Sequence, residues 1–310
     1  MAKYSILPQI YVNTIPKVIV IGNGINRAFG NNAWGDLLGN ISCVSFDEVQ
    51  QESVERLPFP LQAVVATGDN VDEGVELLSR KWLTYDKIIS EHSEIIKSIL
   101  KPDFDAIITT NYSYEIERAI DPCFDCKIGR KTDYRESVKD GSKLENQLGI
   151  YKYMRLSDDE KSYRIWHAHG ELCRPKSMVL GNYYYGKSIS CISACINTFF
   201  RRYNGMKKTG QFTPQSWVDY FMLGNVYIVG LGLDPSEADL WWLINCKKRH
   251  KNDLCGGEIH WFEPNLDSKE SFAKKALAEA YGIKCHTYAI GKRDYKTYYR
   301  NMGSELGLFL

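Results

Sequence analysis

Two short polar motifs, each closing an apolar run, carry residue types suited to chemistry on a nucleotide ribose: Thr109-Thr110-Asn111-Tyr112 after Ile107-Ile108, and His167-Ala168-His169-Gly170 after Trp166. An asparagine side chain accepts through its carbonyl and donates through its amide, so it can hold a water against a sugar hydroxyl; neither Asp nor Lys offers that pairing. A histidine of ordinary pKa, about 6.5, can take a proton from that water or hydroxyl, which is worth roughly 10² to 10⁴ in rate for a positioned base. A third element, Lys17-Val18-Ile19-Val20-Ile21-Gly22-Asn23-Gly24-Ile25-Asn26, feeds a β-branched strand into a glycine turn and then a helix, the usual opening of a nucleotide crevice. Taken singly, each has a plainer reading: a turn asparagine, a loop histidine, a tight glycine turn. Three of them at three strand exits point to one ligand.

The elements that must position these residues follow from periodicity. Short β-branched or aromatic runs bounded by Gly, Pro, Asn or Asp predict strands at 17–21, 105–109, 178–181, 226–230, 258–263 and 284–289. Helical spacing of apolar residues predicts helices within 73–100, 237–249 and 269–281, with Ser236 as an N-cap, Glu237 and Asp239 in the first turn and Lys247, Lys248 and Arg249 at the end. Strand then helix, repeated, implies an α/β fold: a Rossmann-like, doubly wound, mainly parallel sheet. Neither repeats nor a linker are visible, so one domain over 1–310 is expected, with helical insertions at about 36–100, 121–165 and 186–224 over the crevice.

Composition narrows the function. The chain has 310 residues, 44% apolar and 25% charged, with net charge +1, which gives no global case for nucleic acid. The local patch Phe199-Phe200-Arg201-Arg202 to Lys207-Lys208 is read either as a solvated loop, a core helix or an interface. No apolar run approaches the roughly 18 residues of a membrane span, and the first residues lack a signal-peptide core, so a cytoplasmic protein without membrane contact is expected. Nine cysteines in irregular spacing suggest reduced thiols; a zinc site from Cys123, Cys126, Cys191 and Cys195, or from His167 and His169 with Glu171, is weighed and set aside. No cysteine lies in a strand-to-helix glycine turn, which disfavours a thiol nucleophile. Arg27 stands where a dehydrogenase fingerprint has its third glycine, which argues against hydride transfer.

In their order, Gly22-x-Gly24-x-Asn26, Trp34 with Leu37-Leu38, Thr109-Thr110-Asn111-Tyr112, His167-x-His169-Gly170, Met178-Val179-Leu180-Gly181 with its tyrosines, and Val226 to Leu233 before an acidic helix resemble the sirtuin-like branch of the sirtuin superfamily, over about residues 16–290. Many bacterial members of that branch are NAD-hydrolysing effectors of antiphage defence, and the resemblance implies that activity here. It selects His169, beside Gly170, as the base; an extended segment alone leaves His167 and His169 on one face and undistinguished. Two departures are visible. After Gly170 only Cys173, Cys191 and Cys195 precede the next strand, short of the four zinc cysteines of deacetylating sirtuins, and Ser113 replaces the acid that follows the Asn motif.

Nicotinamide is a cationic leaving group, so its glycosidic bond needs an anchored diphosphate, a shielded ribose and a placed water more than an acid. The expectation is therefore an NAD hydrolase yielding nicotinamide and ADP-ribose, with Asn111 and His169 catalytic, Gly22, Gly24, Asn26, Thr110, Gly230 and Gly232 holding NAD, and no metal. A free NADase endangers its own cell, so control through a homo-oligomer or a partner such as a HerA-type ATPase is expected. The alternatives are a sirtuin-type deacylase or ADP-ribosyltransferase, and a catalytically silent nucleotide-binding subunit of a defence complex.

Overall fold

A computed structural model of the chain describes residues 15–30, 34–42, 47–68, 70–82, 90–126, 135–137, 142–206, 212–254, 256–265, 269–290 and 294–310. Its strands are β1 (Lys17–Ile21), β2 (Ala106–Thr109), β3 (Arg135–Ser137), β4 (Lys152–Ser157), β5 (Ser162–His167), β6 (Asn225–Val229), β7 (Ile259–Asn265) and β8 (Lys284–Ala289). They form one sheet in the order β3-β4-β5-β2-β1-β6-β7-β8. From β5 to β8 across the sheet the strands are parallel, and β4 and β3 add an antiparallel edge. The architecture is α/β with a mostly parallel sheet, compatible with a Rossmann-like fold.

Between β1 and β2 lie α1 (Gly24–Arg27), α2 (Trp34–Ile41), α3 (Glu48–Glu55), α4 (Phe59–Thr67), α5 (Val71–Trp82) and α6 (Ser90–Leu100). After β2 come α7 (Glu115–Ile120) and α8 (Lys143–Gln147), and between β5 and β6 come α9 (Asn182–Met206) and α10 (Trp217–Leu223). The chain ends with α11 (Ala238–Arg249), α12 (Lys251–Leu254), α13 (Lys269–Ala280) and α14 (Tyr295–Gly307). Among the described residues no helix is long and apolar enough to cross a membrane.

The strand β1 is apolar at successive positions because both its faces are buried. Val18 and Val20 join Trp166, Phe199 and Trp217 in one core, whereas Ile19 and Ile21 join Ile107, Ile165 and Tyr298 in another. The expected strand at 178–181 is not one. Val179 donates its N–H to the His169 carbonyl (2.8 Å) and accepts from the Tyr112 hydroxyl (2.9 Å), so this apolar run is a buried strap, and burial on all sides mimicked a strand. Region 121–165, read as an insertion, contributes the edge strands β3 and β4 and most of the interior strand β5 to the sheet.

In the patch at 199–208 the core side chains are Phe199 and Tyr203, while Arg201 is exposed; Lys207 and Lys208 lie outside the described residues. Phe199, Tyr203 and Trp217 are buried, and Arg202 pairs with buried Asp219 beneath them. The cysteines also differ from expectation. Cys126 and Cys173 form a disulfide with Cα atoms 6.3 Å apart, because the loop after α7 folds back on the loop after β5. Cys123 is exposed, while Cys191 and Cys195 sit in the opposite core, where burial pushes their thiols up to about 11 and about 12. The set weighed for zinc, Cys123, Cys126, Cys191 and Cys195, is therefore split between the surface, the two cores and a disulfide rather than gathered at one point.

Candidate active site

A cavity of about 380 Å³ opens at the carboxyl ends of β1, β2, β6 and β7, where successive strands depart in opposite directions from β1. Open α/β sheets bind ligands at such a reversal. Asn23 and Gly24 come from the exit of β1, Thr110 to Ser113 from that of β2, Gly230 to Asp234 from that of β6, and Glu263 with Pro264 from β7 itself.

The glycine turn is built for close approach of two strand exits. Gly22 donates its N–H to the Val229 carbonyl (3.0 Å) and Gly24 donates to the Gly230 carbonyl (2.7 Å). A Cβ on Gly22 would lie 2.6 Å from the Gly230 oxygen, and one on Gly24 would lie 2.7 Å from it. The two amides expected to meet a diphosphate are thus engaged in bracing the wall. Gly24, Gly230, Gly232 and Thr110 line the cavity; buried Asn26 instead donates from Nδ2 to Asn23 Oδ1 (3.0 Å), steadying a residue that does line it. Beside Gly232, buried Leu233 holds φ +42°, a left-handed conformation costing about 1–2 kcal/mol for a side chain of this kind, at the cavity wall.

Asn111 is fixed through its backbone. Its N–H donates to Thr109 Oγ1 (3.0 Å), which donates to the Ile21 carbonyl (2.9 Å), so the exit of β2 is tied to that of β1. Its carbonyl accepts from His167, leaving the side chain at the cavity wall, where the buried Oδ1 has no hydrogen-bond partner. A buried orphan oxygen costs about 1–3 kcal/mol, which a bound hydroxyl or water would recover. Ser113, in place of an acid, donates to Glu115 Oε2 (2.6 Å), so a carboxylate still stands behind the Asn loop, carried two residues further on.

The two histidines part company because the chain leaves the strand at His167 and turns, with Gly170 at φ +86°. His167 turns toward Glu117 and away from the cavity. His169 faces the cavity, its Nε2 3.1 Å from Asp239 Oδ2 and its Nδ1 3.8 Å from Glu237 Oε2, with the Tyr185 ring edge-on at 5.5 Å. Burial works against charge on His169, but Asp239 and then Glu237 outweigh it and raise the pKa to about 9. Burial would raise Asp239 as well, yet His169, Ser188 Oγ (2.7 Å) and the Leu240 N–H (2.9 Å) hold it below the usual range, whereas burial raises Glu237.

These shifts favour the protonated ring of His169, lying between Asp239 and Glu237. While it holds that proton the ring is no base; it becomes one on losing it as pH rises toward about 9. Glu237, Asp239, Tyr185 and Ser188 were absent from the sequence expectation, which took the two acids as favourable charges at a helix start. Their signal was their place, directly after the glycine-rich exit of β6. Among the described residues, His169, Glu237 and Asp239 also have ligand atoms within 4.8 Å of one another.

No family model matches the chain. Among curated proteins it is similar to Flotillin-like protein 1 of Medicago truncatula, 28% identical over 148 residues, covering 44% of this chain and 28% of that protein's length. The matched stretch is less than a third of the plant protein.

Proposed function

We propose that this protein hydrolyses NAD to nicotinamide and ADP-ribose. The observation that carries the reading is the buried, unpartnered Oδ1 of Asn111 in the same cavity wall as His169, at the strand reversal where α/β sheets bind nucleotides. The sheet, covered on both faces, is taken as doubly wound, with β1-α1 and β6-α11 flanking the ligand. In the reaction the glycosidic C–N bond breaks with its electron pair going to the nicotinamide nitrogen. Water held by Asn111 forms the new bond to the ribose carbon, and its proton passes to the His169–Glu237–Asp239 group. Ribose hydroxyls would find acceptors in Glu237 or in Glu263, whose carboxyl burial raises to about 7 despite Lys274.

The same reading makes the protein a regulated effector that depletes NAD in antiphage defence, acting in the cytoplasm and held in check through self-association or a partner such as a HerA-type ATPase. Its support is the motif order together with the assembled cavity. Incubation of purified protein with NAD and chromatography of the products tests it: nicotinamide and ADP-ribose in equal amounts are expected. Hydride transfer, or lysine deacylation without NAD hydrolysis, refutes it.

A further inference from the structure

His167 lies between a backbone carbonyl, which only accepts, and a carboxyl group, which only accepts when ionised. Its Nδ1 is 2.8 Å from the Asn111 carbonyl oxygen and its Nε2 is 2.8 Å from Glu117 Oε1. A neutral imidazole carries one N–H, so either tautomer would set a ring lone pair against an oxygen lone pair. The doubly protonated ring satisfies both contacts. Glu117 is wholly buried and its other oxygen, Oε2, has no hydrogen-bond partner, so the His167 charge is what balances it.

Resting on the reading of Asn111 as the residue that places water on NAD, we infer that Glu117 is a positioning residue: it holds His167 as an imidazolium whose Nδ1–H grips the Asn111 carbonyl and presents that side chain to the cavity. The elements around the ring agree. From α7 come Glu117 and the tilted ring of Tyr114 (5.5 Å) just before it; from the loop after β5 comes Glu171, which accepts from Tyr114 and Arg174; from the exit of β2 comes Asn111 itself. Burial opposes the charge on His167, but Glu117, Glu171 and the Asn111 carbonyl prevail and raise its pKa to about 9. A carboxylate on the helix that follows the Asn111 loop thereby governs the Asn111 side chain through the His167 ring.

The test is Glu117→Gln, which keeps the shape and one acceptor but removes the charge. Without substrate, ¹⁵N-histidine NMR of the full chain should show two protonated ring nitrogens on His167 at neutral pH, with a titration midpoint that falls by at least one unit in the variant. With NAD, kcat should drop roughly 10-fold or more at pH about 8 with KM changed less than about 2-fold, and the ratio of variant to wild-type kcat should climb as pH is lowered toward about 6, where the imidazolium re-forms. Glu117→Asp, which keeps the charge, should restore most of the rate; it also serves if the Gln variant does not fold. A neutral His167 in the wild type, an unmoved midpoint, or a rate ratio independent of pH overturns the inference. Absence of NAD turnover in the wild type sinks the hydrolase reading instead, and the NMR midpoint still decides whether the clamp exists.

Discussion

At the scale of single residues, Asn111 and His169 are the pair on which turnover should depend. Both face the cavity rather than completing a core, so Asn111→Ala and His169→Ala should each lower kcat by about 100-fold or more with melting temperatures within a few degrees of wild type. Wild-type turnover in either variant would remove that residue from the chemistry. The pH dependence follows from the partners of His169. Its raised pKa leaves it protonated at neutral pH, so kcat/KM for the free protein should rise with pH toward about 9 as the ring becomes a base. In Asp239→Asn the largest charge favouring the imidazolium is gone, its pKa falls toward the ordinary value of about 6.5, and the rising limb should move to lower pH even as the plateau drops. A limb that stays in place would mean that some other group titrates. His167 is engaged behind Asn111, so its replacement should act through Asn111 rather than through proton transfer.

At the scale of elements, the parallel strands β1, β2, β6, β7 and β8 were legible as short β-branched or aromatic runs, whereas of β5 only the Trp166-His167 exit was legible, its first residues being polar and charged. The exits of β2 and β5 are also what made Asn111 and His169 visible. The strap at 178–181 was misread because complete burial erases periodicity, and β4 was missed because its alternating polar face lies in a charged, tyrosine-rich stretch. The acids flanking His169 were hidden for a different reason. They sit in the first turn of α11 and just before it, where helix electrostatics already accounts for Asp and Glu. Sequence does not tell a buried face of a helix from an exposed one, so the aromatics at 199–217 gave no sign that Phe199, Tyr203 and Trp217 belong to the core. The disulfide depended on a fold-back over 47 residues that no local pattern encodes. Gly170 tests how tightly the His169 loop is built. Its φ is +86° and a Cβ there would meet the Met178 nitrogen at 2.6 Å, so Gly170→Ala must displace the strap that bonds His169. It should cost about 1–3 kcal/mol in stability by denaturant titration and most of the turnover. An unaltered midpoint with full activity would show that the strap is loose.

At the scale of the whole molecule, the cavity lies on the seam between the β1-β2-β5 half of the sheet and the β6-β7-β8 half, with walls from the exits of both. A ligand bridging the seam binds only the folded chain, so it must raise stability by mass action, by about 2.7 kcal/mol at a hundred times its Kd. The two glycine contacts between the β1 and β6 exits already join the halves at backbone distance, so the gain should appear as one cooperative transition moved upward rather than as a second step. Asn111→Ala provides the protein for this test, because it should retain the cavity while leaving NAD uncleaved. Saturating ADP-ribose should raise its melting temperature by several degrees, and NAD should do the same. Hydrogen exchange should slow together at residues 22–26 and 230–234, one segment from each half. Protection confined to one side of the seam, or no thermal shift with either nucleotide, would place the nucleotide elsewhere and leave the orphan oxygen of Asn111 waiting for a different ligand.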